Sequence, residues 1–140
     1  MADPVEQIRS SYEALNRRDI DGTMAVLDED ATWVEHSELP EAGSYTGRET
    51  IRQFLEHFLD SWHEFEQHIE EVHAEQDRVL LFIRLTASGR GSGIDVESRY
   101  AHLWTMREGS GVRVDAYYDR ESALAALQAA HAGRAGKADQ

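Results

Sequence analysis

The apolar residues of this chain change their spacing near residue 65, and that change constrains the fold more than any other feature. Before it, Ile51 and Leu55 begin a wide apolar stripe at helical spacing that continues to Trp62. After it, strand-like patterns cover four runs separated by turn-forming residues, which are 65–74, 79–88, 96–107 and 112–118. Helices followed by an antiparallel meander are typical of an α+β domain.

Helix signals also mark the N-terminal part of the chain. Asp3 has the position of an N-cap directly before a proline, and it predicts a helix over 4–17. A second cap, Asp19, predicts a shorter helix that carries Leu27 and ends in the acidic turn 28–30.

Between the second and third helices we expect a strand over 31–36 and then a loop over 37–45. Residues 46–49, Thr-Gly-Arg-Glu, have the pattern of a capping box that begins the third helix. Near the other end of the chain, Asp119 is the predicted cap of a helix over 120–131.

A length of 140 residues suits one domain with one hydrophobic core. We expect a single domain over residues 1–131, followed by a small, polar, disordered tail over 132–140. A curved antiparallel sheet wrapped around the three N-terminal helices, with a C-terminal helix after it, would enclose a cone-shaped cavity.

Charge and composition argue against several functions. The 27 acidic residues against 14 basic ones give a formal net charge of -13, so we expect neither nucleic acid nor an anionic membrane as a partner. The sequence has no run apolar enough to cross a membrane and no signal-peptide pattern, so we expect a cytoplasmic protein. It has no cysteine, which excludes a disulfide and a thiolate nucleophile.

The predicted strand 96–107 carries a titratable side chain on an aromatic face. Its alternation places Tyr100, His102, Trp104 and Met106 on one side. A histidine between large apolar neighbours is typical of a pocket wall, and it can donate or accept a proton near neutral pH. The alternative is a hydrogen-bonded core histidine without a ligand.

Glu35 is the second candidate catalytic residue. It lies two residues after Trp33, so both face the cavity if one does, while Val34 and His36 face the other way. Burial among aromatic side chains disfavours the charged form of a carboxylate, which makes a stronger general base. The alternative is that Glu35 and His102 hydrogen-bond each other and perform no chemistry.

Aromatic and apolar side chains from several elements are expected to line the same cavity, which suits a flat, mostly apolar ligand. The remaining histidines do not have the spacing of metal ligands, and we expect neither a metal nor another cofactor. The candidate substrate-binding residues are Tyr12, Trp33, Phe54, Leu55, Phe58, Trp62, Tyr100, Trp104 and Tyr118.

Four segments resemble the nuclear transport factor 2-like superfamily and, within it, the SnoaL-like and ketosteroid-isomerase-like branch. They are ALNRRDIDG at 14–22, DATW at 30–33, GRETI at 47–51 and VRVDAYYD at 112–119. The resemblance extends over nearly the whole domain. It implies a cone-shaped fold with a site inside the cone.

The resemblance also implies which residues act. Ketosteroid isomerase uses an aspartate base with an oxyanion hole made of a tyrosine and a protonated aspartate. In this chain the base position falls on Glu35, the protonated acid on His102, and the tyrosine on Ser11, next to Tyr12. Two of these three positions differ in kind, so the resemblance does not imply steroid isomerisation itself.

The expected function is that of a small-molecule pocket protein, a cofactor-free isomerase, cyclase or dehydratase in which Glu35 moves a proton and His102 polarises a carbonyl. One alternative is a noncatalytic ligand-binding or dimerisation module with a closed cavity. Another, limonene-type epoxide hydrolysis, needs an Asp-Arg-Asp set inside the cone, whereas Arg113 and Asp115 alternate outward.

We also expect a homodimer through the outer face of the sheet. Ala101, Leu103 and Thr105 lie on that face of a long strand and would otherwise present an apolar surface to water. The resemblance supports the same assembly.

Overall fold

Helices and strands follow one another in a mixed order in this computed structural model, which describes residues 3–36 and 43–138, with side chains up to residue 129. The helices are α1 Pro4–Asn16, α2 Ile20–Met24, α3 Arg48–Asp60 and α4 Arg120–Ala138. The strands are β1 Leu27–Glu35, β2 Gly43–Thr46, β3 Trp62–Glu75, β4 Arg78–Gly89, β5 Asp95–Arg107 and β6 Ser110–Tyr117.

The six strands form one curved sheet in the order β2-β1-β6-β5-β4-β3, and the sheet is not closed into a barrel. Strands β3 to β6 form the predicted antiparallel meander. The pairing of β1 with β6 is parallel, which the sequence did not predict. The α+β class and the arrangement of a curved sheet with N-terminal helices and a C-terminal helix are confirmed.

The helix caps at the N-terminal end follow the sequence signals. The Val5 N–H donates to the Asp3 carboxylate at 3.0 Å, at the start of α1. The Gly22 N–H donates to the Asp19 carboxylate at 3.0 Å, at the start of α2. Each carboxylate satisfies a backbone donor that has no partner within its helix, and α1 ends within one residue of its predicted end.

The predicted extent of the second helix is wrong. Leu27 and the acidic residues 28–30 belong to β1, not to a helix and a turn. Leu27 pairs with Gly111 of β6, and the Gly111 N–H donates to the Val26 carbonyl at 2.7 Å. These bonds join residues far apart in the chain, so the local helical spacing of Leu27 does not reveal them.

The segment before α3 also differs from the prediction. Residues 43–46 form the short edge strand β2, which pairs with β1, whereas a loop was expected over 37–45. The rest of that predicted loop, 37–42, lies outside the described residues. The predicted capping box is wrong as well, because Gly47 is the N-cap of α3, with φ of 93° and no side-chain cap bond.

Trp62 was placed on the apolar stripe of the third helix, but α3 ends at Asp60 and Trp62 begins β3. Its indole still packs against Phe58, with ring centroids 6.2 Å apart. The helical spacing therefore predicted the contact between Phe58 and Trp62 correctly, although Trp62 lies in a strand and not in a helix.

The main core lies between the inner face of the sheet and α1, α2 and α3. On the outer face, Ala123 and Leu127 of α4 cover Leu80, Ala101 and Leu103. The expectation that Ala101 and Leu103 expose an apolar surface is wrong, because each is only 2% exposed under α4. This removes the packing argument for a homodimer, and the dimer itself stays a prediction.

Helix α4 extends to Ala138, beyond the end expected at residue 131. The side chains of 130–138 lie outside the described residues, as do residues 139 and 140. The domain limits given above stay predictions. None of the helices in the described part of the chain is both long enough and apolar enough to cross a membrane.

Candidate functional site

A cavity of about 470 Å³ lies between the inner face of the sheet and helices α1 and α3. All eleven residues predicted for the site line it. They are Tyr12 of α1; Trp33 and Glu35 of β1; Phe54, Leu55 and Phe58 of α3; Trp62 of β3; Tyr100, His102 and Trp104 of β5; and Tyr118 just after β6.

Alternation along β5 places three of these side chains on the cavity wall. Tyr100, His102 and Trp104 all point inward, and Met106, at the end of the same face, is buried in the main core. The His102 ring packs 5.0 Å from the Tyr100 ring and 4.9 Å from the Trp33 indole, measured between centroids. The imidazole is therefore part of an aromatic wall.

A buried chain of hydrogen bonds holds His102. The Trp104 indole N–H donates to the Tyr12 hydroxyl oxygen at 3.0 Å, and the same hydroxyl bonds to His102 Nδ1. Tyr12 has one hydroxyl proton, and donating it to Nδ1 satisfies every group in the chain. This assignment leaves the remaining imidazole proton on Nε2, as a donor.

Burial keeps this network neutral. It lowers the pKa of His102 to about 3, and it raises the pKa of Tyr12 well above its usual range. At neutral pH His102 is therefore an uncharged imidazole, which can donate a hydrogen bond but does not bring a positive charge into the cavity.

Glu35 does not belong to this hydrogen-bond chain and bonds to two other side chains. Its carboxylate accepts a hydrogen bond from the Trp33 indole N–H at 2.8 Å and another from the Tyr118 hydroxyl. No hydrogen bond between Glu35 and His102 is present among the described residues, so the direct pair that was the alternative interpretation is not formed. The Trp33 side chain contacts both, bonding to the carboxylate and meeting the imidazole edge to face.

The profile of the SnoaL-like domain matches residues 8–114, well over half of the chain. The chain belongs to the SnoaL-like domain family. This confirms the resemblance stated above.

Solved structures share the fold of this SnoaL-like domain. An NTF2-like protein from Burkholderia thailandensis E264 is 26% identical, with a TM-score of 0.74 over 92% of this chain and 98% of that one. TerC, co-crystallized with polyporic acid, is 26% identical, with a TM-score of 0.74 over 83% of this chain and 91% of that one. A putative SnoaL-like polyketide cyclase from Jannaschia sp. CCS1 is 20% identical, with a TM-score of 0.73 over 89% and 88%. A search of curated protein sequences found no match.

The cavity of this SnoaL-like domain also contains residues that the sequence did not predict. Gln67 of β3 is the most informative, because its side chain is buried and its Oε1 has no hydrogen-bond partner among the described residues. The Trp62 indole N–H is likewise buried, and the described part of the chain offers it no partner. The other additional lining residues are Ser11, Leu15, Thr23, Leu27, His57, Ser61, Leu85 and Ser98.

Arg113 and Asp115 lie on the opposite face of the sheet from the cavity. Asp115 is buried there, where it accepts bonds from the Arg113 guanidinium and, at 2.8 Å, from His36 Nε2. Neither residue lines the cavity, as their alternation predicted. The described cavity wall contains no arginine or aspartate, so it does not provide the Asp-Arg-Asp set of limonene-type epoxide hydrolysis.

Among the side chains that the structure describes, no cluster of three His, Asp or Glu residues could hold a metal ion. The chemistry that the described cavity side chains can support is acid–base and hydrogen-bonding chemistry. The polar groups of the wall include the Glu35 carboxylate, the neutral imidazole of His102 and the hydroxyls of Tyr12, Tyr100 and Tyr118.

Proposed function

We propose that this domain binds a flat, mostly apolar carbonyl compound and transfers a proton next to its carbonyl group. Glu35 is the base and His102 the donor to the carbonyl oxygen. The observation that carries this proposal is the Trp104–Tyr12–His102 chain, because it makes Nε2 the proton-bearing nitrogen of a neutral imidazole in the cavity wall.

The size and lining of the cavity support a small ligand of this kind. A volume of about 470 Å³ falls within the range of about 300–1,000 Å³ that ligand pockets occupy. The wall is mainly aromatic and apolar, which suits stacking against a flat ring system. The structure of TerC with polyporic acid supports a small organic ligand in a protein of the same fold.

Glu35 and His102 account for the proton and the charge that the proposed step transfers. Glu35 takes a proton from the carbon next to the carbonyl, and the C–H electron pair moves to form an enolate. The developing negative charge on the oxygen is stabilised by the N–H at His102 Nε2. In a ligand with a carbon–carbon double bond between the β and γ carbons the enolate is a dienolate, and return of the proton to the γ carbon completes an isomerisation and regenerates the carboxylate.

The bonds to Glu35 are compatible with this role. A carboxylate offers about four lone-pair sites, so Trp33 and Tyr118 leave acceptor capacity for a substrate C–H. These two donors also fix the direction of the carboxylate, which favours one reacting geometry.

A noncatalytic ligand-binding domain is the second candidate. Both oxygens of Glu35 already have partners within the chain, which also fits a carboxylate that only stabilises the cavity wall. The two candidates differ in whether Glu35 exchanges protons with a bound ketone.

Proton exchange into 1-tetralone tests the proposal. In D₂O, the wild-type protein should accelerate loss of the proton NMR signal of the hydrogens next to the carbonyl. Glu35→Gln should reduce this acceleration by about 10²–10⁴-fold, the usual contribution of a general base. Glu29→Gln, an exposed carboxylate on the same strand, is the matched control and should retain it. Equal exchange in wild type and Glu35→Gln would remove Glu35 from the mechanism.

A further inference from the structure

We propose that Gln67 and Tyr100 form a hydroxyl-binding subsite in the cavity, so that the ligand is a hydroxylated carbonyl compound. This inference rests on the proposed function for the carbonyl part of the ligand. The hydroxyl part follows from Gln67 and Tyr100, two polar residues that line the cavity.

Gln67 supplies an acceptor that needs a donor. Its side chain is only 7% exposed, it lines the cavity, and its Oε1 has no partner in the described part of the chain. A buried polar atom left without a hydrogen bond is unfavourable by about 1–3 kcal/mol. The oxygen is covered in the ligand-free protein, so a small turn of the Gln67 amide brings it to the ligand, and a donated hydrogen bond there would remove that cost.

The position of Gln67 is fixed by its backbone. Its N–H donates to the Asn16 side-chain oxygen at 2.8 Å, and the Asn16 amide donates back to the Gln67 carbonyl at 3.1 Å. These two hydrogen bonds connect β3 to the C-terminal end of α1. Gln67 is thereby held in place before a ligand arrives, which lowers the entropy lost on binding.

Tyr100 supplies the matching donor. Its hydroxyl oxygen accepts a hydrogen bond from Gln67 Nε2, so its own proton is free to be donated into the cavity. Burial raises the pKa of Tyr100, the hydrogen bond from Gln67 lowers it by a smaller amount, and the nearby Glu35 charge raises it slightly further. Tyr100 therefore keeps its proton at neutral pH.

The two groups together select a hydroxyl. A hydroxyl donates to Gln67 Oε1 and accepts from Tyr100, whereas a ketone or ether oxygen can only accept. A hydrogen or methyl at the same place on the ligand leaves both protein groups unpaired. The proposed ligand thus has two polar contacts, one at Glu35 with His102 and one at Gln67 with Tyr100, in a wall that is mainly aromatic and aliphatic.

Binding of matched probes tests the subsite. We would measure Kd by NMR titration for 1-tetralone and for its 5-, 6- and 7-hydroxy isomers. At least one hydroxy isomer should bind wild type about tenfold more tightly than 1-tetralone, the effect of one or two added hydrogen bonds. Gln67→Leu should abolish that preference, and Gln53→Leu, an exposed glutamine on α3, should retain it.

Two further variants separate the possible failures. Tyr100→Phe should weaken the same preference, and it replaces Gln67→Leu if that protein does not fold. Glu35→Gln should keep the preference even though proton exchange is lost, so a failure of the catalytic proposal remains distinguishable from a failure of the subsite. The subsite is overturned if no hydroxy isomer binds more tightly than 1-tetralone, or if the preference survives both Gln67→Leu and Tyr100→Phe.

Discussion

The hydrogen bond from the Tyr12 hydroxyl fixes which nitrogen of His102 carries the proton. Removing this hydroxyl in Tyr12→Phe leaves the Trp104 indole N–H and His102 Nδ1 without their described partner in a buried place. We expect a loss of about 2 kcal/mol in the free energy of unfolding, measured by urea denaturation. Tyr117→Phe, on the other face of the sheet, leaves this network intact and should change stability less.

The neutral state of His102 predicts a dependence of stability on pH. The pKa is about 3 in the folded protein because of burial, against about 6.5 in the unfolded chain. Below pH 6.5 the unfolded chain therefore takes up a proton that the folded protein does not. The contribution of His102 to the free energy of unfolding falls as the pH falls from 6.5 towards 3, by at most about 1.4 kcal/mol per pH unit, and is constant above 6.5.

His102→Gln provides the comparison for this pH dependence. Urea denaturation of both proteins between pH 5 and pH 7.5 should show a steeper loss of stability in the wild type on acidification. Parallel curves for the two proteins would mean that His102 titrates normally in the folded state.

Much of the cavity wall could be predicted because a strand alternates its side chains. Once β5 was recognised, Tyr100, His102 and Trp104 had to share a face. Gln67 was missed because it is polar, although it lies between Phe65 and Ile69 at alternate positions of β3, and both of these neighbours pack in the main core. That short alternation is the signal that could have placed Gln67 on the inner face, but the irregular pairing between Ile69 and Glu71 ends it.

Among the elements, α4 stabilises the sheet without forming the cavity. Leu127 packs on the outer face, against the cluster that contains Leu80 and Leu103. Leu127→Ala should lower the free energy of unfolding by about 2–3 kcal/mol, from lost burial and the void left behind. Gln128→Ala, at an exposed position of the same helix, should have little effect.

The cavity provides a second measurement for Leu127→Ala. Because α4 lies on the opposite side of the sheet, ligand affinity in the folded variant should equal that of the wild type. A large loss of ligand affinity in fully folded Leu127→Ala protein would show that packing on the outer face of the sheet affects the cavity on the inner face.

Elements with strong local patterns were predicted, and those that depend on distant partners were not. Helix α3 and strand β5 are long and periodic, so their residues specify them directly. The edge strand β2 has four residues, and it is paired with β1, which is itself held by a parallel pairing to β6. Such pairings are made between segments far apart in sequence and leave little local signal.

The net charge of the protein and the side chains of the cavity wall both favour neutral ligands over anionic ones. The formal net charge is -13, and no lysine or arginine lines the described cavity wall. An anionic ligand would meet an unfavourable field and no cation to pair with. Neutral carbonyl compounds fit this molecule better than carboxylates or phosphates.

The three tryptophans of the chain, Trp33, Trp62 and Trp104, all line the cavity, so they report directly on what enters it. Ligand entry is therefore tested most directly by an NMR titration of the ¹⁵N-labelled indole groups with 1-tetralone and its hydroxy isomers. We expect saturable shifts of the Trp33 and Trp62 indole signals, with the same shifts in Glu29→Gln. Indole signals that stay unmoved by every one of these probes would contradict the claim that the cavity is the ligand site.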